Sequence, residues 1–492
     1  MSPTPITNLA QRELIRLIPR DAATVMEVGA ELGADMFQAW NRSTRFAATN
    51  FAGSIPPAAE HGYDCVTVAE GFARTEHPLE VLRAAGRMLN SGAPLITVMP
   101  RLNGGMKDRL RDFLAEADLK LDLARPLAEG DGRYLVRTVA RETPLRSVLI
   151  QNMILRPAGG VNDKRVYEPS DFLATIPGVH VVTAINQAVW QPFPPGVLRV
   201  LIIQRRLVPR TDASSLRQSA RRGYLMITEF DDHPSRWPFI AENDYATFRC
   251  AHAVQTSTEL LAHELAPYTA EVAVFDNQMA SLPPERQLSS TGPVTLFFGA
   301  FNRQVEWAPL MPVLQEIIAT YGDRLQFQVI HDRDFFLALP TRLKSFTDMC
   351  PYDRYLEIMA GCDLTFLPLS DTLFNRCKSD LKFIECAAHQ VAVLASPVVY
   401  GPSAVEGQTA LLFRSAEEFG EKLRFLLNNP AQRIAMADRA REWVANTRLQ
   451  VQHYRKRYNW YLSLAARRPT LDAIFYSQMD ALEAKNRHAR SD

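Results

Sequence analysis

The sequence predicts an α/β protein of three successive units followed by a helical tail. Three observations lead there. Short aliphatic and β-branched runs alternate with helical stretches along most of the chain, the pattern of parallel sheets covered by helices. The length of 492 residues corresponds to two to four domains at roughly 150 residues each. A polar, aperiodic stretch rich in Pro, Ser and Gly, Ala280–Gly292, reads as an interdomain linker. The expected units are residues 1–142, 145–288 and 293–450, with 451–492 as the tail.

Composition narrows the function classes. Hydrophobic residues at 47% and charged residues at 22% are ordinary for a globular chain. A formal net charge of +1 argues against nucleic acid or another polyanion as partner. The six cysteines (Cys65, Cys250, Cys350, Cys362, Cys377 and Cys386) show neither a CxxC pair nor zinc spacing, so reduced thiols and no metal site are expected. The N-terminal MSPTPITNLAQREL lacks the apolar core of a signal peptide. No apolar run approaches the ~18 residues of a membrane span, and a cytoplasmic location is expected.

In the first unit, strands are expected at Thr24–Val28, Arg45–Ala48, Tyr63–Ala69, Pro94–Met99, Lys120–Ala124 and Tyr134–Val139, with helices at Ala34–Trp40, Pro78–Asn90 and Met106–Ala117. VMEVGAELGAD and the stretch from Tyr63 to Pro100, with His77 and Pro78, resemble motif I and the fourth and fifth strands of S-adenosylmethionine-dependent methyltransferases. The family's Gly-x-Gly-x-Gly loop reads Gly29-Ala30-Glu31-Leu32-Gly33 here, which puts a glutamate side chain where the cofactor approaches the backbone. The acid that ends the family's second strand is missing from TRFAATNFAG, and the next helix and strand shrink to Ser54–Gly62. The resemblance thus implies a methyltransferase-like fold without its cofactor, and S-adenosylmethionine is not expected to bind. The alternative is a methyltransferase with an altered pocket.

The second unit opens with a strand at Ser147–Asn152, followed by irregular chain with Pro157, Gly159 and Gly160. Strands follow at Val179–Ala184, Val197–Gln204, Leu225–Glu229, Ala253–Thr256 and Glu271–Phe275, and helices at Thr211–Arg222, Ile240–Cys250 and Ser257–Leu265. Glu229, Asp231, Asp232 and His233 stand at and beyond the carboxyl end of a parallel strand, where ligands of such sheets bind. Carboxylates and an imidazole there can orient or deprotonate a hydroxyl. The plain reading is a polar turn that caps a helix after Pro234. Asp231 and Asp232 face opposite ways if the chain is extended, so one of them would reach a reacting hydroxyl.

The third unit opens with strand Val294–Gly299, a helix at Pro309–Tyr321 and strand Leu325–His331. Gly299 and Arg303 follow the first strand as a turn and a cation suited to a diphosphate; His331 and Asp332 stand at the next carboxyl end. The stretch FNRCKSDLKFIECAAHQVAVLASPVVY then sets Lys378, Ser379, Lys382 and Glu385 at the start of a helix rich in small residues, with strand Val391–Ala395 beyond. A helix start offers backbone N–H groups and a partial positive charge, and two lysines add full charges for phosphate oxygens. Glu385 lies three residues after Lys382, on the same helix face, and a carboxylate there can hold two sugar hydroxyls. Asn375 stands between the strand ending at Pro368 and Lys378, in position to line the same pocket.

This segment resembles the donor-binding element of the GT-B glycosyltransferases of the group 1 type, where Glu-x7-Glu precedes small residues and a strand. Glu385 matches the family's second glutamate, which holds the nucleotide ribose. Cys377 stands in place of the first. YGPSAVEGQTALLF resembles the family's following turn, with Gly407 in place, and PYDRYLEIMAGCDLTFLPL resembles a preceding helix and strand. GYLMITEFDDHP and AHAVQTSTELLAHEL resemble elements of the family's acceptor domain. The resemblance implies two Rossmann-like domains in a GT-B arrangement behind the methyltransferase-like one. It also implies transfer of a sugar from a nucleotide diphosphate to a glycan, lipid-linked or protein acceptor, without a metal or other cofactor, in bacterial surface glycan assembly. Donor-side residues would be Gly299, Arg303, Asn375, Lys378, Ser379, Lys382 and Glu385, and acceptor-side residues Asp231, Asp232 and His233. The rival readings are a methyltransferase acting on glycans and a non-catalytic scaffold. In the helical tail, Trp443, Tyr454, Tyr458 and Trp460 are expected to pack against the second unit. Arg455, Lys456 and Arg457 offer peripheral contact with the inner membrane face as an alternative.

Overall fold

The computed structural model describes residues 9–29, 34–49, 62–68, 76–99, 106–128, 132–156, 159–188 and 194–488. Glu31 of the glycine loop and the link at 54–61 lie outside the described residues. Among those described, strands form three six-stranded sheets, one after another along the chain.

In the first sheet the spatial order is Arg45–Thr49, Thr24–Val28, Cys65–Val68, Pro94–Met99, Tyr134–Ala140 and Leu119–Pro126. The first four are parallel, and Tyr134–Ala140 runs antiparallel to both its neighbours. Pro94–Met99 is buried along its whole length, as a strand covered on both faces must be.

The second sheet is wholly parallel, in the order Val272–Val274, Ala253–Thr256, Tyr224–Glu229, Leu198–Gln204, Val148–Ile154 and Val179–Ile185. The third is also parallel: Lys344–Thr347, Leu325–Ile330, Val294–Gly299, Leu364–Leu367, Ala392–Ala395 and Leu411–Leu412. Numbered within its unit, the third sheet has the doubly wound order 3-2-1-4-5-6, which reverses between Val294–Gly299 and Leu364–Leu367. The second reverses between Val148–Ile154 and Leu198–Gln204. A crevice opens at the carboxyl ends of the strands flanking such a reversal.

Three local features depart from the sequence expectations. The expected helix Ile240–Cys250 is two short helices, Pro238–Glu242 and Ala246–Arg249, because Asp244 and Tyr245 take left-handed backbone angles between them. The strand Lys344–Thr347 is half-buried and short, with Lys and Ser in place of an apolar run. The linker is packed rather than loose: Leu282 is buried and donates its N–H to Ala39 O at 2.8 Å, and Arg286 donates to Cys362 O at 2.8 Å.

From Pro430 onward the chain runs through three α-helices, Pro430–Thr447 at the end of the third unit and Tyr454–Ala466 and Arg468–His488 in the tail. Trp443 packs on Phe383 of the third unit, whereas Tyr454, Tyr461 and Leu464 enter the core of the second sheet. Phe475, Met479 and Leu482 cover that sheet's other face. The basic run has partners on the protein: Arg455, exposed, binds Asp21; Lys456, exposed, donates to Val274 O; and Arg457, buried, lies 3.7 Å from Glu229. Among the described residues, no helix is long and apolar enough to cross a membrane.

Candidate functional site

The reversal point of the third sheet collects most of the residues singled out on the donor side. Val294–Gly299 ends at Gly299, whose carbonyl accepts from Lys382 Nζ at 2.6 Å. Lys382 also donates to Tyr355 Oη at 3.1 Å. It sits in the first turn of helix Leu381–Ala388, one turn before Glu385. The small residues Cys386, Ala387 and Ala388 bury this helix against strand Ala392–Ala395, which presses its start toward the carboxyl ends of the sheet.

Glu385 is buried and accepts a hydrogen bond from Tyr352 Oη. Burial raises its carboxyl above the usual range, opposed by Lys164 and Lys382. Burial lowers Lys382, with Glu385 opposing, and lowers Lys378, with Asp232 opposing and Arg303 adding to the fall. Three cations, Lys378, Lys382 and Arg303, therefore stand in one partly dehydrated cluster, near enough to act on one another. Such cations lose little of their attraction for phosphate oxygens to solvent screening.

Arg303 pairs with Glu306 at 3.2 Å and donates to Asn375 Oδ1 at 3.4 Å. Asn375 is buried, and its Nδ2 donates to Glu306 Oε1 and Ser370 O. His331 stands at the neighbouring carboxyl end with φ of 75°, its ring stacked on Phe301 at 4.0 Å. Asp332 is engaged structurally: it caps helix Arg333–Ala338 through Phe335 N–H and accepts from Trp307 Nε1.

The second unit faces this cluster from its own reversal point. Arg205, the first residue after strand Leu198–Gln204, binds Asp231 at 2.6 Å and also Asp232. The alternation expected of an extended chain fails because the strand ends at Glu229, so both carboxylates converge on one guanidinium. Asp232 Oδ1 also lies 3.5 Å from Lys378 Nζ, which joins the two units. Ser379 Oγ accepts from Asn277 Nδ2 at 2.7 Å, and Thr258 Oγ1 donates to Cys377 O at 3.0 Å, across the same boundary.

Glu229 belongs to the core: fully buried, it binds Arg165 at 2.7 Å. His233 lies apart from the carboxylates' contacts. Its Nδ1 accepts from Ser235 N–H and so caps the turn Pro234–Arg236, and its Nε2 lies 3.6 Å from Glu264.

Sequence reasoning missed Arg205, Tyr352, Tyr355 and Lys164. Arg205 carried a signal, a cation directly beyond a strand's carboxyl end. Tyr352 and Tyr355 are spaced i, i+3 on helix Tyr352–Ala360 and so present one face. Lys164 lies on the π-helical turn Asp163–Tyr167, and no local pattern points to it.

Residues 314–459 match the family model described as glycosyl transferase-like. This places a glycosyltransferase-type domain over most of the third unit and the start of the tail. Solved structures that resemble the chain include TarM of S. aureus, bound to UDP among other ligands, at 9% identity and a TM-score of 0.42, covering 53% of this chain and 55% of that one. The chain thus spans about half the length of that protein. Sucrose-phosphate synthase from Thermosynechococcus elongatus aligns at 13% identity and 0.46 over 65% of this chain and 100% of that one. HepE of Anabaena with UDP aligns at 12% and 0.46 over 64% and 99%. No curated protein matches the chain.

Proposed function

We propose that the chain is a nucleotide-sugar glycosyltransferase of GT-B arrangement, acting on a hydroxyl of a glycan, lipid-linked or protein acceptor in surface glycan assembly. The observation that carries this is the convergence of Lys378, Lys382, Arg303 and Glu385 on the reversal point of the third sheet, with Lys378, Lys382 and Glu385 inside the segment that matches the glycosyltransferase-like family and Arg303 just before it. A diphosphate there meets three cations and the start of helix Leu381–Ala388, and Glu385 reaches a ribose in exchange for its bond to Tyr352. As the bond from sugar carbon to diphosphate oxygen breaks, negative charge collects on the leaving group, where these cations already stand. The acceptor oxygen forms the new bond, and Asp231 or Asp232 takes its proton.

Arg205 holds both carboxylates in place until the acceptor arrives. The first unit is read as a methyltransferase-like docking domain without cofactor. Its parallel sheet with one reversed strand near the edge is compatible with that reading.

The test is a thermal-shift screen of the full chain against UDP, GDP, dTDP and CMP, their sugars and S-adenosylmethionine, with Glu385→Gln alongside. Glutamine keeps the size of the side chain and an acceptor for Tyr352, whereas alanine would leave that buried hydroxyl unpaired. One nucleotide at a hundredfold excess over its Kd should stabilise the wild type by about 2.7 kcal/mol and the variant much less. No shift with any nucleotide would overturn the reading, and a shift with S-adenosylmethionine alone would make methyl transfer the function.

A further inference from the structure

A separate cavity of about 670 Å³ lies where the first unit meets the second, with Ala280 of the linker in its wall. Two sheet edges flank it. Leu123 and Arg125 come from the edge strand of the first sheet, and Val179 to Val182 from the edge strand of the second. A volume of this order suits one small molecule.

Its polar groups are built in. Arg20 is 3% exposed, with its guanidinium carbon 3.6 Å from the centre of the Trp40 ring and 5.5 Å from that of Phe172. Its Nη1 donates to Ile15 O and Ile18 O, but its buried Nε has no hydrogen-bond partner among the described residues. Burial pulls this guanidinium down to about 9, the mark of a cation held without adequate compensation.

Glu13 is shared between Arg16 at 2.8 Å and Arg125 at 2.7 Å, and both arginines keep much of their side chains exposed. Asp171 faces Arg20 and Arg16 through charge alone. Glu168, also in the wall, is taken by Lys164 at 2.8 Å. Three guanidiniums thus stand against two carboxylates, Glu13 and Asp171, which leaves one positive charge in excess.

Guanidiniums to grip an anion, carboxylates to accept from hydroxyls, and aromatic and aliphatic walls for a ring face together define a ligand. We infer that this cavity binds a small acidic saccharide, a sugar ring bearing a carboxylate or a phosphate. A neutral sugar leaves the excess charge unanswered, and a bare anion leaves the apolar walls and the carboxylates unused. The cavity also touches the donor side: Glu168 binds Lys164, whose Nζ lies 5.6 Å from the ring centre of Tyr352, and Tyr352 donates to Glu385. The occupant's role as an acceptor-side ligand rests on the glycosyltransferase reading, whereas its binding does not.

The experiment is calorimetric titration of the full chain with glucuronic acid, glucose 6-phosphate, glucose and inorganic phosphate. The response to UDP is measured in parallel. One or both acidic sugars should bind, at least roughly tenfold tighter than glucose or phosphate. Arg125→Gln and Arg16→Gln should each weaken that binding by roughly tenfold while leaving the UDP response unchanged. The carboxylate and phosphate arms distinguish which acid is taken. The inference fails if neither acidic sugar binds, if glucose or phosphate binds as tightly, or if both variants bind as the wild type does. Failure of all four nucleotides to shift the melting temperature, with acidic-sugar binding intact, would sink the proposed function and leave this site standing.

Discussion

At Gly299 the backbone and two rings meet without room for a side chain. A Cβ there would lie 2.4 Å from Phe297 Cζ and 2.8 Å from Tyr355 Cε2, closer than carbon atoms approach. Tyr355 shares Lys382 with the Gly299 carbonyl, so the glycine sets the position of a cation assigned to the diphosphate. Gly299→Ala should push Tyr355 aside, move Lys382 by about an ångström and lower sugar transfer by roughly 10- to 100-fold. Steady-state rates on the two proteins check this, and equal rates would separate the close packing from function. Gly299 was legible as a glycine at a strand's carboxyl end, but the close approach of Phe297 and Tyr355 that requires it was not. Nor was Tyr355, since three α-helices and two strands separate it from Gly299 along the chain. Arg205 carried a signal of its own, but its pairing with Asp231 and Asp232 did not, because those carboxylates lie past the adjacent strand Tyr224–Glu229.

The last helix, Arg468–His488, is tied to the second sheet through His252. The buried ring accepts from Met226 N–H at 2.9 Å through Nδ1, meets Asp472 Oδ1 at 2.9 Å through Nε2, and stacks on Phe475. Burial pulls this histidine down to about 4; Arg468 pushes the same way and Asp472 opposes. The unfolded chain therefore takes up this proton near pH 6.5, and the folded chain does so only near 4. Stability is fully present above pH 6.5 and falls as pH drops through that window, by about 2–3 kcal/mol. His252→Gln should be less stable at pH 7 but lose less on acidification. Melting temperatures of both proteins from pH 7 to 4 decide it, and parallel curves would exclude His252 as the cause. Elements of this kind were legible where periodicity or burial set them, as in Pro94–Met99 or Tyr224–Glu229. Lys344–Thr347 escaped because its pairing with Leu325–Ile330, not its own composition, makes it a strand. The break at Asp244 and Tyr245 escaped because side chains distant in sequence fix it: Asp244 is held by Lys485 and Arg210.

Across the whole molecule, one guanidinium joins the second and third units at the base of the proposed donor site. Arg448, which closes helix Pro430–Thr447, binds Asp380 through two nitrogens at 2.6 and 2.8 Å. It also donates to Asn277 O at 2.8 Å and Gln278 Oε1 at 3.2 Å, in the segment after the last strand of the second sheet. Asp380 is buried and directly precedes the helix that carries Lys382 and Glu385, so this clamp fixes both the start of that helix and its distance from the facing unit. Removing one member of a buried pair strands the other charge, which typically costs 3–5 kcal/mol. Arg448→Ala should therefore lower stability by roughly 3 kcal/mol and weaken nucleotide binding as the helix start loosens. Much of that cost is the stranded Asp380 carboxylate, so Asp380→Asn on the Arg448→Ala background should restore part of the stability. It should not restore nucleotide affinity, because the neutral pair no longer clamps the units. Urea denaturation and nucleotide titration of the two single variants and the double variant separate these effects. Recovery of affinity along with stability would show that the charge, and not the clamp, is what the site requires.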